Sequence, residues 1–471
     1  MILHLVILVS YSLALMALGL WIGRRVSGAA DFFVASRRLG PGLIFSTMLA
    51  ANIGAGSTVG ATALGYASGI AAWWWVGSAA IGSTVLAFWI GPDIRRQAAA
   101  HQLRTVGDYL EYRYSAAVRG AISALLWIGS IFILAGQLFA IGAIVEAVAG
   151  VPASVGCVIG GVVITAYFAA GGLLTSAWVN VVQLTVKMAG FALALPLALS
   201  SIGGWSGLST VRPDDAAYWT FWRTDSPGLF TLAIIVPAFI VSPGLLQKIF
   251  GARDDRAVRI GVGLNALGLF LYAGVPAALG IAARAKFPAL AAADAALPTL
   301  LAKGLPPLAG ALGLAAVFSA EISASDAVLL MLTTSLAQDL YKRFARPVAR
   351  EDEVLRVARW TTVASGALGT ALAIILGSVV NALTIFYTLL GVSLFVPIVA
   401  GLYVRRTSNG GALASIAAGV GGMLTIQAAT GGRGWGALTP ALAGLLAAIA
   451  AWGITLAIAP APHGRRSSVS A

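Results

Sequence analysis

The sequence predicts an all-α membrane protein of about 13 transmembrane helices, and three observations predict it. Of 471 residues, 59% are hydrophobic and only 10% are charged, and the mean hydropathy is +0.91, which leaves too little polar surface to cover a soluble globule. Apolar runs of roughly 20 residues, the length that crosses a bilayer core of about 30 Å, recur from end to end. The basic residues are one-sided: of the 30 Lys and Arg, all but Arg212, Arg223, Arg284, Lys286, Lys303, Arg433 and the intramembrane Lys187 fall in loops on the same side, the positive-inside pattern.

In order, the spans are expected near 2–22, 42–66, 72–92, 118–149, 153–171, 176–202, 228–248, 258–282, 308–337, 358–378, 380–403, 411–430 and 437–459. The first lacks a basic leader and is followed, not preceded, by Arg24 and Arg25, so it reads as a retained helix. That places the N-terminus outside and the C-terminus in the cytoplasm, as in an integral protein of the plasma (inner) membrane. The chain reads as a single transmembrane domain, 1–471. It has an extra helix at 2–22, a core over about 42–403 and two additional helices over about 411–459.

The formal net charge of +13 lies in short inner loops, where it orients helices against an anionic leaflet rather than binding nucleic acid. Cys157 is the only cysteine and lies within a span, which excludes disulfides and a thiolate metal site. His4, His101 and His463 sit near chain ends or in a loop. Glu321 and Asp326 form the only carboxylate pair in a span, without the surrounding pattern of an intramembrane protease. No catalytic residue is assigned, and an enzyme is not expected.

Two spans are interrupted. "AANIGAGSTVGATALGYASGI" (50–70) carries Gly54, Gly56, Gly60 and Gly65 at membrane depth. Each glycine costs a helix about 1 kcal/mol relative to Ala, so local unwinding is cheap. "IIVPAFIVSPGLLQKIF" places Ser242, Pro243 and Gly244 in mid-span, where proline removes one backbone bond. Backbone freed of helical partners is tolerated in the membrane where it lines a cavity. Two such helices, first and sixth of a ten-helix core beginning at 42, point to an inverted-repeat secondary transporter with its site at the midplane. Residues 52–58 and 242–244 are therefore expected to be irregular and to face each other across a cavity.

Lys187 lies in mid-span, with Asn180 and Gln183 on the same helical face. An unpaired ammonium at that depth is costly, and Glu321 on the eighth core helix is the expected partner.

"DFFVASRRLGPG", "TVGDYLEYRYS", "AAGGLLTSAWVNVVQ", "LLQKIFGARD" and "SLAQDLYKR", in this order between about 31 and 425, resemble the sodium:solute symporter family. The resemblance implies five plus five inverted helices, with one helix before the core and two or more after it. It implies sodium (Na+) as the coupling ion, held by the backbone carbonyls of Ala50, Ile53 and Ala320 and the hydroxyl of Ser323. Oxygen donors of this kind suit a hard cation. Ala324 stands where relatives usually carry a second hydroxyl.

A second departure concerns charge. Relatives often carry an aspartate where this chain has Asn180, and a serine where it has Asp326. A carboxylate moved across the helix pair would give a possible second cation site at Asn180 and Asp326, open to sodium or to a proton.

Asn52 matches a position that contacts substrate in relatives. Ser57, Thr58, Trp74, Trp75, Ser242 and Asn265 are its candidate neighbours, and the amides around Gly54 and Gly56 would suit a carboxylate. The reading is sodium-coupled symport of a small solute, an amino acid or organic anion, with the bilayer and that solute as partners. Two alternatives stay open: a proton-coupled symporter using Asp326, and a transporter-like membrane sensor.

Overall fold

The computed structural model describes residues 2–24, 37–212, 215–225 and 227–458, with the side chains of 23, 167 and 170–174 also outside the described set. Residues 31–36 of the "DFFVASRRLGPG" motif, Arg25, Arg465 and Arg466 lie outside it as well. Among the described residues the chain is helical throughout, with only isolated bridges pairing Leu39 with Ala252 and Trp435 with Leu438.

Helix α1 (Ile2–Gly23) packs beside the core, where the Tyr11 hydroxyl donates to Ser319 Oγ at 2.7 Å. The first core helix comes in two pieces. Helix α2 (Pro41–Asn52) begins with proline at its first turn, where no amide is needed. It ends because Ile53 leaves helical space at φ −93°, ψ 86°. A wide turn over Gly56–Gly60 leads into α3 (Ala61–Ser68). Gly69, at φ +73°, reverses the chain. A side chain there would be strained and would meet the Tyr218 carbonyl.

Next come α4 (Trp73–Val85), α5 (Ala116–Ala149) and α6 (Ala153–Ser200). The 48 residues of α6 would extend about 72 Å at 1.5 Å per residue, so helical backbone runs through both spans expected at 153–171 and 176–202. The sixth core helix is also in two pieces, α7 (Thr231–Val241) and α8 (Pro243–Phe250), parted at Ser242 with φ −55°, ψ 118°. Pro243 supplies the break: it has no amide to offer α7 and starts α8.

Helices α9 (Asp255–Tyr272) and α10 (Gly274–Lys286) form the seventh core span. Helix α11 (Pro307–Thr333), which is buried nearly all round, forms the eighth. Then follow α12 (Glu351–Leu376), α13 (Val379–Tyr403), α14 (Asn409–Thr430) and α15 (Pro440–Ile458).

Eleven helices among the described residues are long and apolar enough to cross a membrane. The expected count differs because the second and third spans run together over Gly56–Ala100 and, of α6, only Thr175–Ser200 counts as a full span, Ala153–Ala166 being a shorter apolar stretch of the same helix. The chain is thus an integral membrane protein with a ten-helix core whose first and sixth helices are broken.

The end of the bundle that carries the basic loops holds an ionic cluster around the buried Arg119 and Asp339. Arg119 meets Asp108 at 2.8 Å, Glu111 at 3.0 Å and Asp339 at 2.7 Å, and Arg343 meets Glu111 at 2.7 Å. The short helix Val106–Arg113 is held there by a capping box between Thr105 and Asp108. Thr105 also donates to Asp339 at 2.5 Å. This cluster ties the segment after the second core span to the helical segment Thr334–Ala345 that follows α11.

Arg119→Met would leave the Asp339 carboxylate, 3% exposed, without its cation, and should lower stability by about 3–5 kcal/mol, read as a fall in melting temperature in detergent. The Glu111 carboxyl is held below its ordinary 4.5, first by its hydrogen bond from Arg343. The stability it adds is therefore complete above that value and is lost as pH falls through its folded value. Glu111→Gln should accordingly lose less melting temperature than wild type on acidification below pH 4.5.

Candidate transport site

The site is built on the first break. When α2 stops at Asn52, the carbonyls of Ala50 and Ile53 lose helical acceptor duty, and the amides of Gly54 and Ala55 lose helical acceptors. Both amides are satisfied locally: Gly54 N donates to Ser57 Oγ at 3.0 Å, and Ala55 N to Gln137 Oε1 at 2.8 Å. Of the amides expected to be bare around Gly54 and Gly56, those of Gly54 and Ala55 are therefore taken. Ser57 Oγ in turn donates to the Asn52 carbonyl at 2.8 Å.

The break at 53–55 and the break at Ser242 open onto one cavity of about 60 Å³. Asn52, Gly54, Gly56, Ser57, Trp75 and Ser242 line it, together with Gln137, Phe239, Ala324 and Tyr387. No charged side chain lines it. Gly54 and Gly56 are required by close approach, since a Cβ would collide with Ala324 at the first and Leu383 at the second.

Three other candidates stand off the cavity wall. Asn265 accepts the Asn52 amide at 3.0 Å, holding its side chain from behind. Thr58 turns away, donating to Glu321 Oε1 at 2.7 Å. Trp74 faces the outer loop, where its indole donates to the Phe221 carbonyl at 2.9 Å; of the three consecutive tryptophans only Trp75 reaches the cavity.

The four oxygens assigned to sodium converge. Ser323 Oγ lies 2.7 Å from the Ala50 carbonyl and 3.0 Å from that of Ala320. Into this group projects Lys187, fully buried. Its Nζ donates to the Ala50 carbonyl at 2.6 Å, the Ile53 carbonyl at 3.0 Å and Ser323 Oγ at 2.6 Å. Lys187 and Glu321 act on each other electrostatically, while the hydrogen bonds of Lys187 go to other groups. The ammonium uses its three donors on neutral oxygens that the break made available, while Glu321 Oε1 takes Thr58 and Oε2 has no hydrogen-bond partner.

Asn180 and Asp326 meet through Ser176. The Asn180 amide donates to Ser176 Oγ at 3.1 Å and to Thr47 Oγ1 at 3.0 Å, and Ser176 Oγ donates to Asp326 Oδ2 at 3.1 Å. Lys248 is buried beside them and donates to the Thr47 carbonyl at 2.7 Å. Among the described residues no group of three or more His, Cys, Asp and Glu is placed to hold a metal ion.

Sequence reasoning missed Gln137, Phe239 and Tyr387. Gln137 had a legible signal, an amide in the middle of an apolar span. The two aromatics had none, because an aromatic in a span is ordinary until its neighbours are known. Gln137→Leu should leave the Ala55 amide without its acceptor, cost about 1–3 kcal/mol, and lower solute uptake in proteoliposomes at equal protein incorporation.

The comparisons with known proteins agree with this architecture. A Na+-coupled sialic acid symporter, solved in a substrate-bound outward-open state, superposes with a TM-score of 0.82 at 19% identity, covering 97% of this chain and 98% of that one. A nucleobase-cation-symport-1 family transporter in a closed conformation superposes at 0.62 and 15% identity, covering 90% of this chain and 93% of that one.

In sequence, the Escherichia coli sodium/pantothenate symporter is 27% identical over 90% of both chains. The Vibrio parahaemolyticus sodium/glucose cotransporter is 23% identical over 87% of this chain and 82% of its own. The human sodium/iodide cotransporter is 24% identical over 86% of this chain, and the match spans 66% of the human protein's length. The Sodium:solute symporter family pattern matches residues 32–419. The chain belongs to the sodium:solute symporter family, whose members are membrane transporters with sodium as coupling ion.

Proposed function

We propose that the protein carries a small solute across the plasma (inner) membrane by alternating access around the cavity between the two breaks, driven by sodium, with its N-terminus outside and its C-terminus in the cytoplasm. The single observation that carries this reading is that Asn52, Gly54, Gly56 and Ser57 from one broken helix and Ser242 and Gly244 from the other line the same cavity. Two breaks that face one cavity allow a helix pair to rearrange around a fixed site.

The lining chooses among solutes. Amides of Asn52 and Gln137, hydroxyls of Ser57 and Ser242, and rings of Trp75, Phe239 and Tyr387 form it, without an ionised side chain to neutralise a net charge. A compact, zwitterionic or uncharged solute suits such walls, and of the amino acids and organic anions expected from sequence the amino acids fit better.

The test is uptake of labelled candidates into proteoliposomes holding the full chain, with and without an inward sodium gradient. Saturable accumulation of a neutral amino acid that collapses without the gradient is expected. Gly56→Leu, which drives a side chain toward Leu383 and Trp75, should abolish it, and Asn52→Ala should raise KM about tenfold, or about 1.4 kcal/mol. Failure of every candidate in both uptake and counterflow would contradict the reading.

A further inference from the structure

We infer that the ammonium of Lys187 is the resident cation of the site formed by Ala50, Ile53, Ala320 and Ser323, a tethered charge that stands where a sodium ion would stand, so that sodium does not bind there unless Lys187 is removed.

The donor count carries this. An ammonium has three N–H donors, and all three are used, on the Ala50 carbonyl at 2.6 Å, the Ile53 carbonyl at 3.0 Å and Ser323 Oγ at 2.6 Å. The two at 2.6 Å are as short as charge-assisted bonds, and the third has an ordinary length. Having accepted from Lys187, the Ser323 hydroxyl still has one hydrogen, and it faces the Ala50 carbonyl at 2.7 Å and the Ala320 carbonyl at 3.0 Å. The Ala50 and Ile53 carbonyls and the Ser323 hydroxyl are thereby engaged by Lys187, and the one Ser323 hydrogen is left for either the Ala50 or the Ala320 carbonyl. An ion placed among them would overlap Nζ, and two positive charges would share one set of neutral donors.

The electrostatics are those of a cation site. Helix α2 ends at Asn52, so its last carbonyls carry the negative end of the helix dipole, which favours a cation. Glu321 and Asp326 on α11 add negative charge around Lys187, and Lys248 adds a second positive one. Ala324, the position without a hydroxyl, fits the same account. A sodium ion needs more oxygens than an ammonium has donors, and a lysine makes a further ligand unnecessary. The missing hydroxyl and the intramembrane lysine are two parts of one substitution.

The consequence for coupling rests on the transport reading above: the sodium ion that drives transport acts elsewhere in the chain. The inference about the site itself does not need transport, and its test is a binding measurement. Purified full-length protein in detergent is titrated with NaCl against choline chloride at constant ionic strength and pH, reading melting temperature and tryptophan fluorescence. Lys187→Ala, and Lys187→Met as the variant that keeps side-chain volume, should gain a saturable sodium response with half-saturation at least tenfold below any seen in wild type. Adding Ser323→Ala to either should weaken that response at least tenfold.

In the otherwise wild-type chain, Ser323→Ala should leave any sodium response unchanged. That arm decides the matter even where both Lys187 variants fail to fold. A wild-type sodium response that Ser323→Ala abolishes overturns the inference, as does a half-saturation equal in wild type and the Lys187 variants. Solute counterflow by the same preparations reports separately on the transport reading.

Discussion

The arrangement depends on one constraint: backbone carbonyls released at Ile53 must find a partner where there is no water. A break in a membrane helix leaves polar groups that cost several kcal/mol each when unmet in hydrocarbon. Here the amides are met by Ser57 and Gln137 and the carbonyls of Ala50 and Ile53 by Lys187. The neighbouring helices are held to the break by this requirement, α5 through Gln137, α6 through Lys187 and α11 through Ser323.

The same constraint explains why a chain this apolar buries two lysines. Both reach carbonyls near the C-terminal end of α2, Lys248 at Thr47 and Lys187 at Ala50 and Ile53. Each comes from a different element, α8 of the second broken helix and α6 of the first half of the core. The two carboxylates that balance them, Glu321 and Asp326, lie on α11, with Glu321 tied to the first break through Thr58 and Asp326 to α6 through Ser176. Four buried ionisable side chains thus surround one unwound segment, and hydrogen bonds tie them to it and to the neighbouring helices. That couples the cavity to the bundle.

Much of this was legible in the sequence. Glycine density at 54–65 and the Ser242, Pro243, Gly244 run located both breaks, because propensity and a missing amide act locally. Lys187 was legible as a buried cation in need of a partner, but its hydrogen-bond acceptors were not. Side-chain acids announce themselves in sequence and carbonyls do not, so Glu321 was the visible candidate and Ala50 and Ile53 the actual acceptors. Ala324 was visible as a missing ligand, yet only the fold brings Lys187, more than a hundred residues away, onto the hydroxyl of the adjacent Ser323. Thr58, Trp74 and Asn265 were near the right depth, but which face each presents depends on helix rotation about the break, which no local pattern sets.

The central claim, that a lysine and not a free ion satisfies the oxygens of the first break, is tested most directly by an experimental structure of the wild-type protein determined in high sodium. The account predicts continuous density for the Lys187 side chain ending within hydrogen-bond distance of the Ala50 and Ile53 carbonyls and Ser323 Oγ, with no ion between them. An ion bound by those three oxygens, with Lys187 turned away, would contradict it.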